Sequence, residues 1–219
     1  SEFYPLFPGY EPGMNSGKVG ARFPIDSSAY ACFYMAMYAN WNTSDNNYYM
    51  VFWAPDRFIE RWADPNQVWG LAYGNTLQKN QWQLYHINLN SHPYIQNKPW
   101  SYQQYWQVFR LTPSLVADTQ FYVDWVRLTN CQPVYANLSG LPQGTYAIWL
   151  GTNSPEYQIL AVDSFSPASD GSYAWDVQGL AAGTYTYYVK TSNGNIVQQG
   201  QVNLVGSPIV SFTSPSPYS

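Results

Sequence analysis

The sequence predicts an all-β protein made of two sandwiches, the second smaller than the first. Three observations predict it. Gly140-Leu-Pro-Gln-Gly-Thr-Tyr146 is echoed by Gly179-Leu-Ala-Ala-Gly-Thr-Tyr185, and each copy delivers a Tyr into a strand-like run. Short aromatic and β-branched runs, which suit a pleated half-buried surface, recur between turn clusters from residue 22 to residue 130. Asn193-Gly194, a strong hairpin signal, separates two further runs of that kind.

The elements follow in chain order. Residues 1–21 hold Pro5, Pro8, Gly9, Pro12, Gly13 and Gly17 and read as an extended lead-in. Residues 22–133 form the first sandwich. Its strand-like runs are Ala29–Tyr38, Tyr48–Trp53, Trp82–Leu89, Tyr105–Leu111 and Phe121–Thr129. In the third run, Leu84, Ile87 and Leu89 are candidates for burial. Pro55–Trp62 has the spacing of a short helix but is marginal in length for one. Gln132-Pro133 marks a boundary, because charge nearly vanishes beyond it. Residues 134–219 hold one basic group, Lys190, and four acids, Glu156, Asp163, Asp170 and Asp176. Residues 134–206 form the second sandwich. In each echoed motif, Gly supplies the turn and the Tyr hydroxyl reaches back to the backbone upstream, a tyrosine corner. Thr184–Lys190 and Ile196–Leu204 make the hairpin around Asn193-Gly194. Residues 207–219 are an extended tail whose prolines disfavour a central strand.

Composition sets the class of partner. Charged residues are 10% of the chain, against about 25% in an ordinary globular protein. Hydrophobic residues are 46%, so a core is affordable despite the low charge. The polar surface is therefore built from Asn, Gln, Ser, Thr and Tyr hydroxyls, a surface suited to neutral partners. A net charge of −4 argues against nucleic acid, which calls for clustered Lys and Arg. No run of about 18 apolar residues exists to make a transmembrane segment.

Cys32 and Cys131 lie in or beside the runs Ala29–Tyr38 and Phe121–Thr129. If those runs pair antiparallel, the start of one meets the end of the other and a disulfide becomes geometrically accessible. The competing reading is two buried free thiols. The extracellular look of the composition favours the disulfide. Two acceptor sequences, Asn42-Thr-Ser44 and Asn137-Leu-Ser139, fit the same compartment.

The run Phe121-Tyr-Val-Asp-Trp-Val-Arg-Leu-Thr129 resembles the closing strand of jelly-roll domains of the carbohydrate-binding-module type. Gly-Leu-x-x-Gly-Thr-Tyr resembles the immunoglobulin-like or fibronectin-type modules that follow such domains in multimodular secreted bacterial proteins. The resemblance implies an N-terminal jelly-roll sandwich over 22–133 and an immunoglobulin-like sandwich over 134–206. It also makes Ile209–Pro215 look like the opening strand of a further module, and it suggests a structural calcium.

Catalysis is not expected. The chain has two histidines, His86 and His92, and no Gly-x-Ser-x-Gly elbow or His-Glu-x-x-His. Its acids offer no distinguished pair of the kind a glycosidase needs. Asp124, between Val123 and Trp125, reads as a structural carboxylate paired with Arg127 or Arg110, ahead of a sugar-binding acid. Ser44-Asp-Asn-Asn47 reads as an Asx turn ahead of a calcium loop.

Binding chemistry rests on aromatic rings. Tyr94, Trp100, Tyr102, Tyr105 and Trp106 lie among Asn and Gln in a segment that Pro99 makes unsuited to helix. Pyranose rings present C–H faces that stack on Trp and Tyr, and their hydroxyls bond to amides. Trp41, Trp62 and Trp69 are candidates to join this platform, although Trp and Tyr also fill sandwich cores. The expected function is non-catalytic extracellular adhesion to neutral polysaccharide or cell-surface glycan. The first alternative is a structural subunit of a surface layer or fibre, joined to other copies by strand addition. The second is an accessory fragment of a glycoside hydrolase.

Overall fold

The structure, a computed structural model, describes residues 25–54, 68–106, 108–151, 158–204 and 209–212. The N-terminal lead-in and the helical spacing at Pro55–Trp62 lie outside the described residues. The first half of the chain supplies β1 (Ile25–Asp26), β2 (Cys32–Asn40), β3 (Tyr48–Ala54), β4 (Gly70–Thr76), β5 (Gln81–Asn88), β6 (Ile95–Asn97), β7 (Tyr105–Trp106), β8 (Val108–Thr112) and β9 (Gln120–Thr129). The second half supplies β10 (Tyr135–Leu138), β11 (Tyr146–Gly151), β12 (Gln158–Phe165), β13 (Tyr173–Asp176), β14 (Gly183–Thr191), β15 (Ile196–Leu204) and β16 (Ile209–Phe212). Among the described residues, helix is limited to the 3-10 turn Trp100–Tyr102. The protein is all-β, as its strand-like runs predict.

One sheet runs through both halves of the chain. Its eight strands lie in the order β15-β14-β11-β12-β5-β2-β9-β16. A four-stranded sheet, β6-β4-β3-β8, and two-stranded pairs, β10-β13 and β1-β7, complete the set. The join is a parallel contact between β12 and β5, with Ile159 beside Trp82 and Leu160 beside Gln83. The C-terminal strand β16 returns to the first half and pairs antiparallel with β9, Ile209 opposite Thr129. Ile209–Phe212, the described part of the stretch Ile209–Pro215, thus pairs as a strand of this sheet.

The two faces of the long sheet carry different cores. Successive strand residues point to opposite faces. Phe33, Met35 and Met37 of β2, with Tyr85 and Ile87 of β5, face the four-stranded sheet and build the first core with Val51, Trp53, Phe109 and Leu111. Ile148, Leu150 and Val189 build the second core with Leu138 and Trp175, which lie on the β10-β13 pair. Leu84 and Trp125 come from the first half of the chain, yet they pack on this second core. Of the three burial candidates in the Trp82–Leu89 run, Ile87 and Leu89 join the first core and Leu84 joins the second.

A bulge explains the pattern of β9. Ala36 pairs with Trp125 and Met37 with Val123, so Asp124 is an extra residue. The bulge switches the inward positions from Phe121 and Val123 to Val126 and Leu128, all of which pack on the first core. Asp124 is exposed, and its carboxylate acts electrostatically on Arg127. Cys32 and Cys131 form a disulfide, with Cα atoms 5.1 Å apart, because β2 and β9 pair antiparallel. A polar pin, Asn47, is fully buried; its amide donates to the Ser114 and Thr119 hydroxyls at 2.9 and 3.2 Å.

Both echoed motifs are tyrosine corners. The Tyr146 hydroxyl donates to the Pro142 carbonyl at 3.0 Å, and the Tyr185 hydroxyl to the Ala181 carbonyl at 3.1 Å. The β14-β15 hairpin is present, and Gly194 takes φ +80° in its turn. Gly194 N–H donates to the Thr191 carbonyl and Thr191 N–H to the Asn195 carbonyl, so the loop is longer than a two-residue turn.

Candidate functional site

The face of β9, β2 and β5 turned away from the first core decides what the protein presents. Cross-strand register places its outward side chains in successive rows. Arg127, Tyr34 and His86 form one row; Trp125, Ala36 and Leu84 the next; Tyr122, Tyr38 and Trp82 the third. The second core covers the middle row and touches the first.

The first row is a seam. The Tyr34 hydroxyl donates to Gln178 Oε1 at 2.9 Å, and Gln178 Nε2 donates to Asn130 Oδ1 at 3.3 Å. Arg127 lies over the Trp125 ring, 3.9 Å from its centroid, and donates to the Gly179 carbonyl at 3.1 Å. Burial pushes the guanidinium down from its ordinary value, while the Tyr185 phenol and the Asp124 carboxylate push it back up. His86 stacks on Tyr34 with centroids 4.4 Å apart. The residue itself is exposed, and partial desolvation lowers its imidazole from the ordinary value against the pull of Asp176. A Cβ added to Gly179 would meet the Tyr34 ring at 2.3 Å, so this glycine is a docking point. The second tyrosine corner therefore both turns the chain and fixes the two halves together.

The third row is left open beside that seam. The Tyr38 ring lies 6.1 Å from Trp82 and 5.9 Å from Tyr122, centroid to centroid. The planes are tilted by 51° and 47°, so the surface is corrugated rather than flat. Tyr122 is 59% exposed, and Tyr38 and Trp82 are half-buried. Uncharged polar groups rim the row. Asn40 pairs with Gln120, and Asn80 Oδ1 accepts weakly from the Tyr38 hydroxyl at 3.5 Å. Three rings from three strands, with amides at the strand ends, form a contiguous aromatic surface.

The ring platform read from the segment 94–106 divides. Trp100 and Trp106 are fully buried in the first core, which corrects their assignment to a binding surface. Trp53, Trp100 and Trp106 pack mutually at centroid distances of 5.5 to 6.4 Å. Their N–H groups are satisfied inside: Trp100 donates to the Tyr30 carbonyl at 2.7 Å and Trp106 to the Trp100 carbonyl at 2.6 Å. The turn after Pro99 puts the first indole inward. Tyr94, Tyr102 and Tyr105 remain 66%, 51% and 48% exposed. No ring contact joins these three to one another. Lys98 instead sits over the Tyr102 ring at 4.5 Å, and Tyr94 lies beside His92. Trp41 is buried beneath Lys79, and Trp69 packs on Phe52. Trp62 lies outside the described residues.

Among the described residues, no three His, Cys, Asp or Glu side chains come together as a metal site. In the Ser44–Asn47 turn, Asp45 uses its carbonyl to accept from Trp41 Nε1 at 3.0 Å. Among the described residues, no helix is long and apolar enough to cross a membrane. Comparison with known proteins found no matching family model, curated protein or solved structure.

Sequence reasoning missed the row Tyr122–Tyr38–Trp82. The available signal was alternation. Tyr34, Ala36 and Tyr38 interleave with Phe33, Met35 and Met37, which marks two-sided use of the strand.

Proposed function

We propose that the protein is a non-catalytic extracellular adhesion module that binds neutral polysaccharide through the aromatic row. The carrying observation is the contiguity of Tyr122, Tyr38 and Trp82 across three neighbouring strands. Single exposed aromatics are ordinary on protein surfaces, whereas a joined apolar patch rimmed by polar groups marks an interaction site. Sugar C–H faces stack on such rings, and the amides of Asn40, Gln120 and Asn80 supply neutral donors and acceptors. The low charge of the chain fits an uncharged ligand. The disulfide fits an oxidising compartment. In this reading the first half is a jelly-roll binding domain. The second is an immunoglobulin-like module that buttresses the sheet from behind the seam.

A glycan array probed with the intact chain tests the reading. Binding to one class of neutral polysaccharide, insensitive to moderate salt, is expected. Absence of binding to every neutral glycan on the array would overturn it.

A further inference from the structure

Among the described residues the long sheet ends in a long, uncharged edge strand. Among the described residues β15 is hydrogen-bonded on one side only, to β14. A lone edge leaves a row of backbone donors and acceptors for another strand, and proteins commonly guard edges by shortness, charge or proline. The other sheet ends here are guarded. β6 has three residues and is followed by Lys98 and Pro99. β8 has five, contains Arg110 and runs into Pro113. β16 has four. β15 has nine residues, Ile-Val-Gln-Gln-Gly-Gln-Val-Asn-Leu, with neither charge nor proline. Ile196 and Val197 are 52% and 40% exposed.

We infer that β15 pairs antiparallel with β15 of a second copy of this chain about a two-fold axis, joining two long sheets edge to edge. Self-pairing places like beside like, which a charged strand would oppose. β15 escapes that penalty. Its exposed Gln199, Gln201 and Asn203 carry amides, and an amide both donates and accepts, so it is complementary to itself. A two-fold contact must be self-complementary in this way. The pairing lies at the far end of the sheet from β9 and β2, so it leaves the aromatic row free and makes the assembly bivalent for whatever that row binds. The inference does not depend on the glycan reading.

Sedimentation analysis of the intact chain over a range of concentrations tests it. The expected mass is twice the 25.0 kDa of one chain. Gln199→Lys with Gln201→Lys is expected to give a monomer with unchanged circular dichroism and melting, because both side chains are exposed. Like charges opposed across the axis repel. Mixing that variant with Gln199→Glu/Gln201→Glu is expected to restore the dimer. A wild-type chain that stays monomeric up to its solubility limit would overturn the inference. So would a dimer indifferent to the lysines, or folded charge variants that fail to pair on mixing.

Discussion

Tyr34 reaches 144 residues along the chain to hydrogen-bond Gln178, and the two side chains lie buried at the seam between the cores. Gly179 follows directly and accommodates the Tyr34 ring. The two halves of the molecule are therefore mechanically coupled rather than strung on a linker. The parallel contact of β12 with β5 and the return of β16 to β9 act in the same sense.

This coupling predicts a specific non-additivity. Gly179→Ala drives a methyl into the Tyr34 ring and is expected to cost about 1–3 kcal/mol as an overpacking change. Tyr34→Ala removes the obstacle. A double-mutant cycle by denaturant unfolding should give an interaction energy of at least about 0.5 kcal/mol. Gly140→Ala, where an added Cβ meets nothing within 4 Å, should add independently to Tyr34→Ala despite its φ of +74°. Equal coupling for both glycines would contradict the seam.

The paired tyrosine corners predict different consequences for equivalent substitutions. Tyr146→Phe removes one hydrogen bond, to the Pro142 carbonyl, and should cost about 0.5–1.5 kcal/mol. Tyr185→Phe removes the bond to Ala181 and also the phenol that faces the half-buried Arg127. It should cost more, since bonds to charged groups are stronger. Thermal unfolding of the two variants checks the order.

Much of this was legible in the sequence, and the reason is local chemistry. The tyrosine corners and the β14-β15 hairpin are short-range devices, and their residues announce them. The Cys32–Cys131 pairing was accessible only if two strand-like runs paired antiparallel, and free thiols stood beside it as the competing reading. The join of β12 to β5 was not legible, because it rests on two paired positions far apart in sequence with no turn to mark them. The aromatic row was hidden for the same reason: residues 38, 82 and 122 meet only through strand register. The segment 94–106 misled, because its amides suggested a surface while Trp100 and Trp106 satisfy their N–H groups on internal carbonyls.

The disulfide predicts strong dependence on oxidation state. It spans 99 residues of sequence, and closing so long a loop stabilises by about 4–5 kcal/mol in the chain-entropy model. Denaturant unfolding with and without reductant should show a difference in unfolding free energy of that size. Cys32→Ala/Cys131→Ala should behave like the reduced protein.

Alkaline pH should unfold the protein. Burial holds the Tyr34, Tyr49 and Tyr85 phenols above their ordinary value, Tyr85 at about 12. Below pH about 10 these groups are protonated in both states and stability is full. Above it the unfolded chain releases protons that the native state keeps, so stability falls as pH rises, by up to about 1.4 kcal/mol per unit for each such group. Ultraviolet titration should show these phenols ionising only together with loss of structure. Smooth titration of every tyrosine in a folded protein would contradict the burial described.

The central claim is that the partner surface is the row on β9, β2 and β5. Calorimetric titration of a neutral oligosaccharide, chosen as the tightest binder of the intact chain, tests it most directly when run on two triple variants. Tyr38→Ala/Trp82→Ala/Tyr122→Ala should lose at least about tenfold in affinity, the scale of one binding hot spot. Tyr94→Ala/Tyr102→Ala/Tyr105→Ala should bind like the parent. The reverse pattern, with both variants folded, would place the binding surface elsewhere and contradict the account.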